Sequence, residues 1–250
     1  MTKLKLFALI LMVGFTSCQQ KVTTNEMTES IDSVKYKNVE KIKIKKDMAI
    51  NTNKIFPRLK ANYGHEMYRS DLGEKFMGNS EIKLDIPEKF IPINENIFED
   101  IMMSFVADNG SSYVMLQNEF LELNPNLTID SLKVLSLNNL ISEIRDKIQM
   151  HGDVNDVAMI TCGGNFEAAS ILVAKTWENL FSHFGPKIAF CVPANDILYV
   201  CKADNKDAIL KMKMQINEWF HSEDTQGLIS KGIYLKEDGV KGAKLIDTSF

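Results

Sequence analysis

The sequence predicts an α+β fold: a mixed β-sheet with about three amphipathic helices and several hairpins in one globular domain. Three observations carry this expectation. Apolar runs of strand length alternate with segments of helical periodicity, several strand pairs are separated only by turn residues, and no internal repeat is visible. The chain has 250 residues, 45% of them hydrophobic and 25% charged, which excludes a multispanning membrane protein, a collagen-like fibre and a wholly disordered chain.

The elements follow in order. Residues 51–92 contain Pro57, Pro87 and Pro92 with weak periodicity, and read as irregular with short strands. Residues 98–106 (FEDIMMSFV) read as a strand, Asp108-Asn109-Gly110 as a turn, and residues 113–117 as the partner strand. Thr128 can cap a helix whose first turn holds Asp130. Leu137, Ile141, Ile144 and Ile148 continue it at helical spacing, Leu132, Leu135 and Leu140 widen the stripe, and Gly152 ends the segment. Residues 157–161 (VAMIT) form a compact strand, after which Asn165 is expected to cap a second helix. That helix places Phe166, Ala169, Val173, Trp177, Leu180, Phe181 and Phe184 on one face and stops at Gly185-Pro186. Residues 188–192 and 197–200 are apolar runs joined by Pro193-Ala194-Asn195-Asp196. Asp204 or Asn205 opens a third helix with Ile209, Met212, Ile216 and Phe220 inward, and residues 227–235 and 241–246 flank Glu237-Asp238-Gly239 as a last hairpin.

The N-terminus has its own logic. Lys3 and Lys5 precede an unbroken apolar run of ten residues, 6–15, too short for a spanning helix of about 20 residues and suited to a cleaved export signal. Phe15-Thr16-Ser17-Cys18 follows, then the polar pair Gln19-Gln20. These residues resemble the lipobox of bacterial lipoproteins, with Phe15 where Leu is usual and Ser17 where Gly or Ala is usual. The resemblance implies cleavage after residue 17 and fatty acylation of Cys18. At about 0.8 kcal/mol per buried methylene, two or three acyl chains hold a protein on a bilayer without spanning it. The alternative is an ordinary secretory signal that leaves Cys18 lost or as a stray thiol. Uncharged Gln19 fits sorting to the outer membrane of a Gram-negative host, facing the periplasm or the cell surface.

The organisation expected is therefore a signal peptide over 1–17, a polar tether over 18–33 and a globular domain over 34–250. Loss of residues 1–17 takes the formal charge from −4 to about −6, giving no global positive excess for nucleic acid. Residues 35–60 run the other way: nine basic residues, including Lys54, Arg58 and Lys60, face only Glu40 and Asp47. The period-two run Lys41-Ile42-Lys43-Ile44-Lys45 reads as an edge strand with a solvated lysine face, or as a patch for anionic headgroups or an acidic partner.

Further along, Ile55-Phe56-Pro57, Tyr113-Val114, Leu137-Asn138-Asn139-Leu140, Gly163-Gly164 with Ala169-Ser170-Ile171-Leu172, and Val192-Pro193 with Asp196-Ile197-Leu198 appear in an order that resembles the YtpQ-like family of uncharacterised bacterial proteins. The resemblance covers about residues 50–205 and implies a shared fold, with no activity attached. Asn195 stands where members usually carry Arg.

Two segments are candidates for chemistry. In Thr161-Cys162-Gly163-Gly164-Asn165, a strand running through two glycines into a helix could offer amides to an anion or activate Cys162 as a nucleophile. The same residues also suit a tight turn with a buried cysteine. Asn195 and Asp196 could present an amide and a carboxylate to a ligand, or simply form the turn. Cys191 and Cys201 flank that turn as a possible disulfide or two buried thiols. His65, His151, His183 and His221 lack metal-ligand spacing, and no CxxC, HExxH, GxSxG, Walker or dinucleotide motif occurs, so neither metal nor cofactor is expected. The expectation is a membrane-tethered, non-catalytic binding or envelope-assembly protein with an envelope protein as partner; an anion or small-ligand receptor and a Cys162 thiol enzyme are the alternatives.

Overall fold

The computed structural model describes residues 50–62, 87–222 and 227–247, all within one unit, Asn38–Phe250. The first sheet is organised around β3 (Ile101–Asp108), which pairs antiparallel with β1 (Ile55–Ala61) on one side. On its other side it pairs with β2 (Asn94–Asn96) and β4 (Tyr113–Met115), also antiparallel. The β3–β4 turn forms where the sequence predicts it. Asp108 Oδ1 accepts the Gly110 amide at 2.7 Å and Asn109 Oδ1 the Ser112 amide at 2.8 Å, as turn-forming side chains do.

β1 is a seven-residue strand in a stretch expected to be irregular with short strands, and it contains Pro57. A proline is tolerated there because, among the described residues, β1 pairs on one side only, leaving an edge that needs no donor at residue 57. The start of that edge is covered by side-chain hydrogen bonds: Asn139 Nδ2 donates to the carbonyls of Thr52 at 2.7 Å and Ile55 at 2.9 Å.

After a six-residue helix, α1 (Asn118–Leu123), helix α2 spans Ile129–Ile144. Thr128 is its N-cap as expected, in a reciprocal arrangement with Ser131. The helix ends earlier than Gly152, because Gln149–His151 (β5) pairs with the following strand and competes successfully with further helix. Leu132, Ser136, Leu140 and Ile144 form its buried stripe, each four residues from the last.

The second sheet comprises β5, β6 (Ala158–Thr161), β7 (Lys187–Cys191), β8 (Leu198–Lys202), β9 (Ile233–Glu237) and β10 (Lys244–Asp247), in the order β10-β9-β7-β8-β6-β5. Every described ladder is antiparallel. β6 and β7 nevertheless run the same way, because each is antiparallel to β8 between them. Two strands of the same direction thus flank one that opposes both, and no parallel ladder occurs among the described residues.

Helix α3 (Ala174–Phe184) sets Trp177, Leu180 and Phe184 in one cluster with Ile188, Phe190, Leu198 and Val200. Helix α4 (Lys206–His221), capped by Asn205, sets Ala208, Met212 and Ile216 in another with Ala189, Cys191, Tyr199 and Cys201. The alternation along β7 and β8 places these clusters on opposite faces, which explains why both strands read as unbroken apolar runs. The α3-side cluster also takes in Ile55, Leu59, Met103 and Phe105 from the first sheet, so both sheets share one core. An aromatic stack of Phe98, Phe190 and Tyr234 marks their junction.

Candidate functional site

The glycine turn after β6 differs from expectation in one respect that decides its chemistry. No helix begins at Asn165, which is exposed; a 3-10 turn runs Ala168–Leu172 and α3 starts only after Val173. The positive φ of Gly163 (99°) and Gly164 (83°) turns the chain so that nearby amides point inward, a geometry that suits an anion. The anion is the chain's own. Glu167 Oε1 accepts the amides of Cys162 at 2.8 Å and Gly164 at 2.7 Å, with the residue 1% exposed. Two donors that an external anion would use are therefore engaged internally.

The same carboxylate bears on Cys162. Burial, with the Glu167 charge next in size, pushes this thiol up to about 12. A nucleophilic cysteine needs the opposite, an accessible thiol with a depressed pKa. Cys191 and Cys201 are free and buried, and burial raises both, Cys201 to about 12. Their register explains why no disulfide forms: Cys191 faces Tyr199 and Ala189 faces Cys201, so the thiols are diagonal. Diagonal neighbours lie roughly 7–8 Å apart, beyond the reach of a disulfide without backbone movement.

Residues 193–196 do form the β7–β8 connection. Asn195 donates its amide to Gly227 O at 3.1 Å and accepts from Ala168 N at 3.3 Å, so one backbone bond ties this connection to the turn that follows Glu167. Asn195 Oδ1 is buried without a hydrogen-bond partner, whereas Asp196 is exposed. Asp196 and Glu218 add to the burial that raises the Tyr199 hydroxyl pKa. Tyr199 accepts from Trp219 Nε1 at 3.1 Å and, with Gln215, Glu218, Trp219 and Ser222, lines an open cavity of about 330 Å³.

Two polar constellations escaped the sequence. The first is buried: Asp100, Ser230 and Tyr234 are each 0% exposed and mutually hydrogen-bonded, with Ser230 Oγ donating to Asp100 Oδ2 at 2.5 Å. The second lies on the first sheet, where Arg58 is 9% exposed and its guanidinium carbon sits 4.2 Å from the Tyr113 ring centroid and 5.3 Å from that of Phe166. Arg58 and Lys60 belong to the basic stretch visible in the sequence, but only strand pairing reveals what stands beside them. No family description, curated protein or solved structure matches the chain.

Proposed function

We propose that the protein is a bacterial envelope lipoprotein, held on a membrane by fatty acyl chains on Cys18, whose folded body has a non-catalytic binding or envelope-assembly role. The observation that carries this reading is the ten-residue apolar run, 6–15, that ends three residues before Cys18 and is followed by polar sequence. Residues 1–49 lie outside the described residues, so the signal, the acylated cysteine, the tether and the lysine-alternating strand rest on sequence. Among the described residues no helix is long and apolar enough to cross a membrane, which is compatible with a lipid anchor. The YtpQ-like resemblance belongs to the same proposal and contributes only a fold.

The glycine turn weighs against both the thiol enzyme and an anion receptor at that place. Its cysteine is 1% exposed with a raised pKa, and its amides are held by Glu167. The test is intact-mass and N-terminal peptide spectrometry of protein from bacterial cells grown with an alkyne analogue of palmitate. The expected species begins at an acylated Cys18. An unacylated start, or retention of residues 1–17, overturns the placement.

A further inference from the structure

On one face of the first sheet, positive charge is gathered without a counter-charge among the described residues. Arg58 and Lys60 are two apart on β1 and share that face, and the cross-strand register sets Ser104 opposite Arg58 and Asn94 opposite Ser104. Arg58, Ser104 and Asn94 thus form a row across β1, β3 and β2. Arg58 and Ser104 are its floor, 9% and 2% exposed, while Asn94 and Tyr113 are exposed at the rim. Tyr113 and Phe166 pack against each other edge to face, 6.1 Å apart, and both adjoin the guanidinium from neighbouring directions, which holds it in place by ring contacts rather than by a carboxylate.

Among the described residues neither Arg58 nor Lys60 has an ion pair or a side-chain hydrogen bond. Asp108, the acid on this face by register with Tyr113, turns into its own loop and accepts the Gly110 amide at 2.7 Å. Burial, and then the Arg58 charge, lower the Lys60 pKa, so the two cations repel one another in a half-dry setting. A buried cation is normally paired, and buried Arg58 has no carboxylate partner among the described residues.

We infer that this face binds a phosphate group carried by a soluble ligand, with Arg58 as the forked donor, Lys60 as the second charge, and the Ser104 hydroxyl and Asn94 amide as neutral donors. Two cations with neutral donors match a tetrahedral dianion better than a carboxylate, which brings one charge and two oxygens. The recessed floor suits a soluble group rather than the flat surface of a bilayer. This assignment names a ligand class for the binding role proposed above, yet it rests on the folded body and not on the anchor.

The test is calorimetric titration of the full chain in detergent with inorganic phosphate at constant ionic strength, with chloride and acetate as controls. Saturable binding of one phosphate is expected, weakened about tenfold in Lys60→Gln and in Arg58→Lys, the usual scale for losing one charge-assisted contact. Lys60→Gln is the decisive variant, because Lys60 stacks on neither ring and is only half-buried, so the charge is removed with little change in packing. A purely structural Arg58 clamp gives no phosphate binding. That result, an equal response to chloride or acetate, or unchanged affinity in a folded Lys60→Gln overturns the inference. Cys18→Ser should leave the phosphate affinity intact, so failure of the anchor and failure of this site are separately visible.

Discussion

Tyr234 on β9 donates its hydroxyl to Asp100 Oδ1 at the start of β3, joining the two sheets across 134 residues of sequence. Ser230 completes the triangle, donating to Asp100 Oδ2 and standing 2.8 Å from the Tyr234 hydroxyl, while it also accepts the Gly232 amide at 2.8 Å. With all three side chains inaccessible, losing one partner strands a polar group in the interior. Tyr234→Phe is therefore expected to cost about 1–3 kcal/mol in urea denaturation. Because Ser230 and Tyr234 serve the same carboxylate, the double variant with Ser230→Ala should depart from the sum of the singles by at least about 0.5 kcal/mol. Strict additivity would show that the three groups do not act as one network.

Glu167 should behave as an internal counter-anion. Glu167→Ala leaves the Cys162 and Gly164 amides without their acceptor, and a loss of about 2–3 kcal/mol is expected. Glu167→Gln keeps a carbonyl oxygen in the same place and should cost less. It also removes the negative charge that helps raise the Cys162 pKa, so that pKa should fall while burial still holds it above the ordinary thiol value. Thiol absorbance followed against pH, in a variant with Cys191 and Cys201 replaced, reads the change. An unaltered titration would show that burial alone sets the thiol.

The buried thiols also set the sign of the alkaline response. Cys162 and Cys201 are raised from 9.0 to about 12, and Cys191 is raised as well. Above pH 9 the unfolded chain gives up these protons while the folded chain keeps them, so the unfolded state binds fewer protons and stability falls as pH rises. The contribution is complete below pH 9 and is lost between 9 and about 12. Tyr199, raised from 10.0, acts in the same direction, while the lowered Lys60 opposes it. Thermal melts should therefore show Tm declining across this window, with a flatter decline in Cys201→Ala. In the native protein at neutral pH all three thiols should resist iodoacetamide. Rapid labelling of Cys162 would revive the nucleophile reading.

How far the sequence was legible depended on the range of the interactions involved. Thr128, Asn205, Gly185 and the Asp108–Asn109 turn act within a few residues of themselves, so their caps and turns could be read directly. Pro57 misled because a proline argues against a strand unless the strand is known to be an edge, and only its pairing with β3 shows that β1 is an edge among the described residues. The glycine turn was recognised, but its occupant was not. Asn165 looks like a helix cap until Glu167 is seen to bend back onto the amides, which is a matter of side-chain placement rather than pattern. The Arg58–Ser104–Asn94 row needs three strands in register, and their sequence separations carry no period.

Gly227 offers a last check on the connection that holds Asn195. Its φ of +70° is one that side-chain-bearing residues rarely adopt, and a Cβ there would lie 2.2 Å from Asn195 Nδ2. Two penalties therefore meet in Gly227→Ala: left-handed backbone strain of about 1–2 kcal/mol and a collision with the Asn195 side chain, whose main chain is held by bonds to Gly227 O and Ala168 N. The combined loss should exceed about 2 kcal/mol. Asn195→Ala removes the colliding amide together with an Oδ1 that has no hydrogen-bond partner, so on its own it should cost little. In the double variant the collision disappears while the backbone strain remains, and part of the stability should return. A double variant no more stable than Gly227→Ala alone would place the whole penalty in the backbone and show that Asn195 gives way freely.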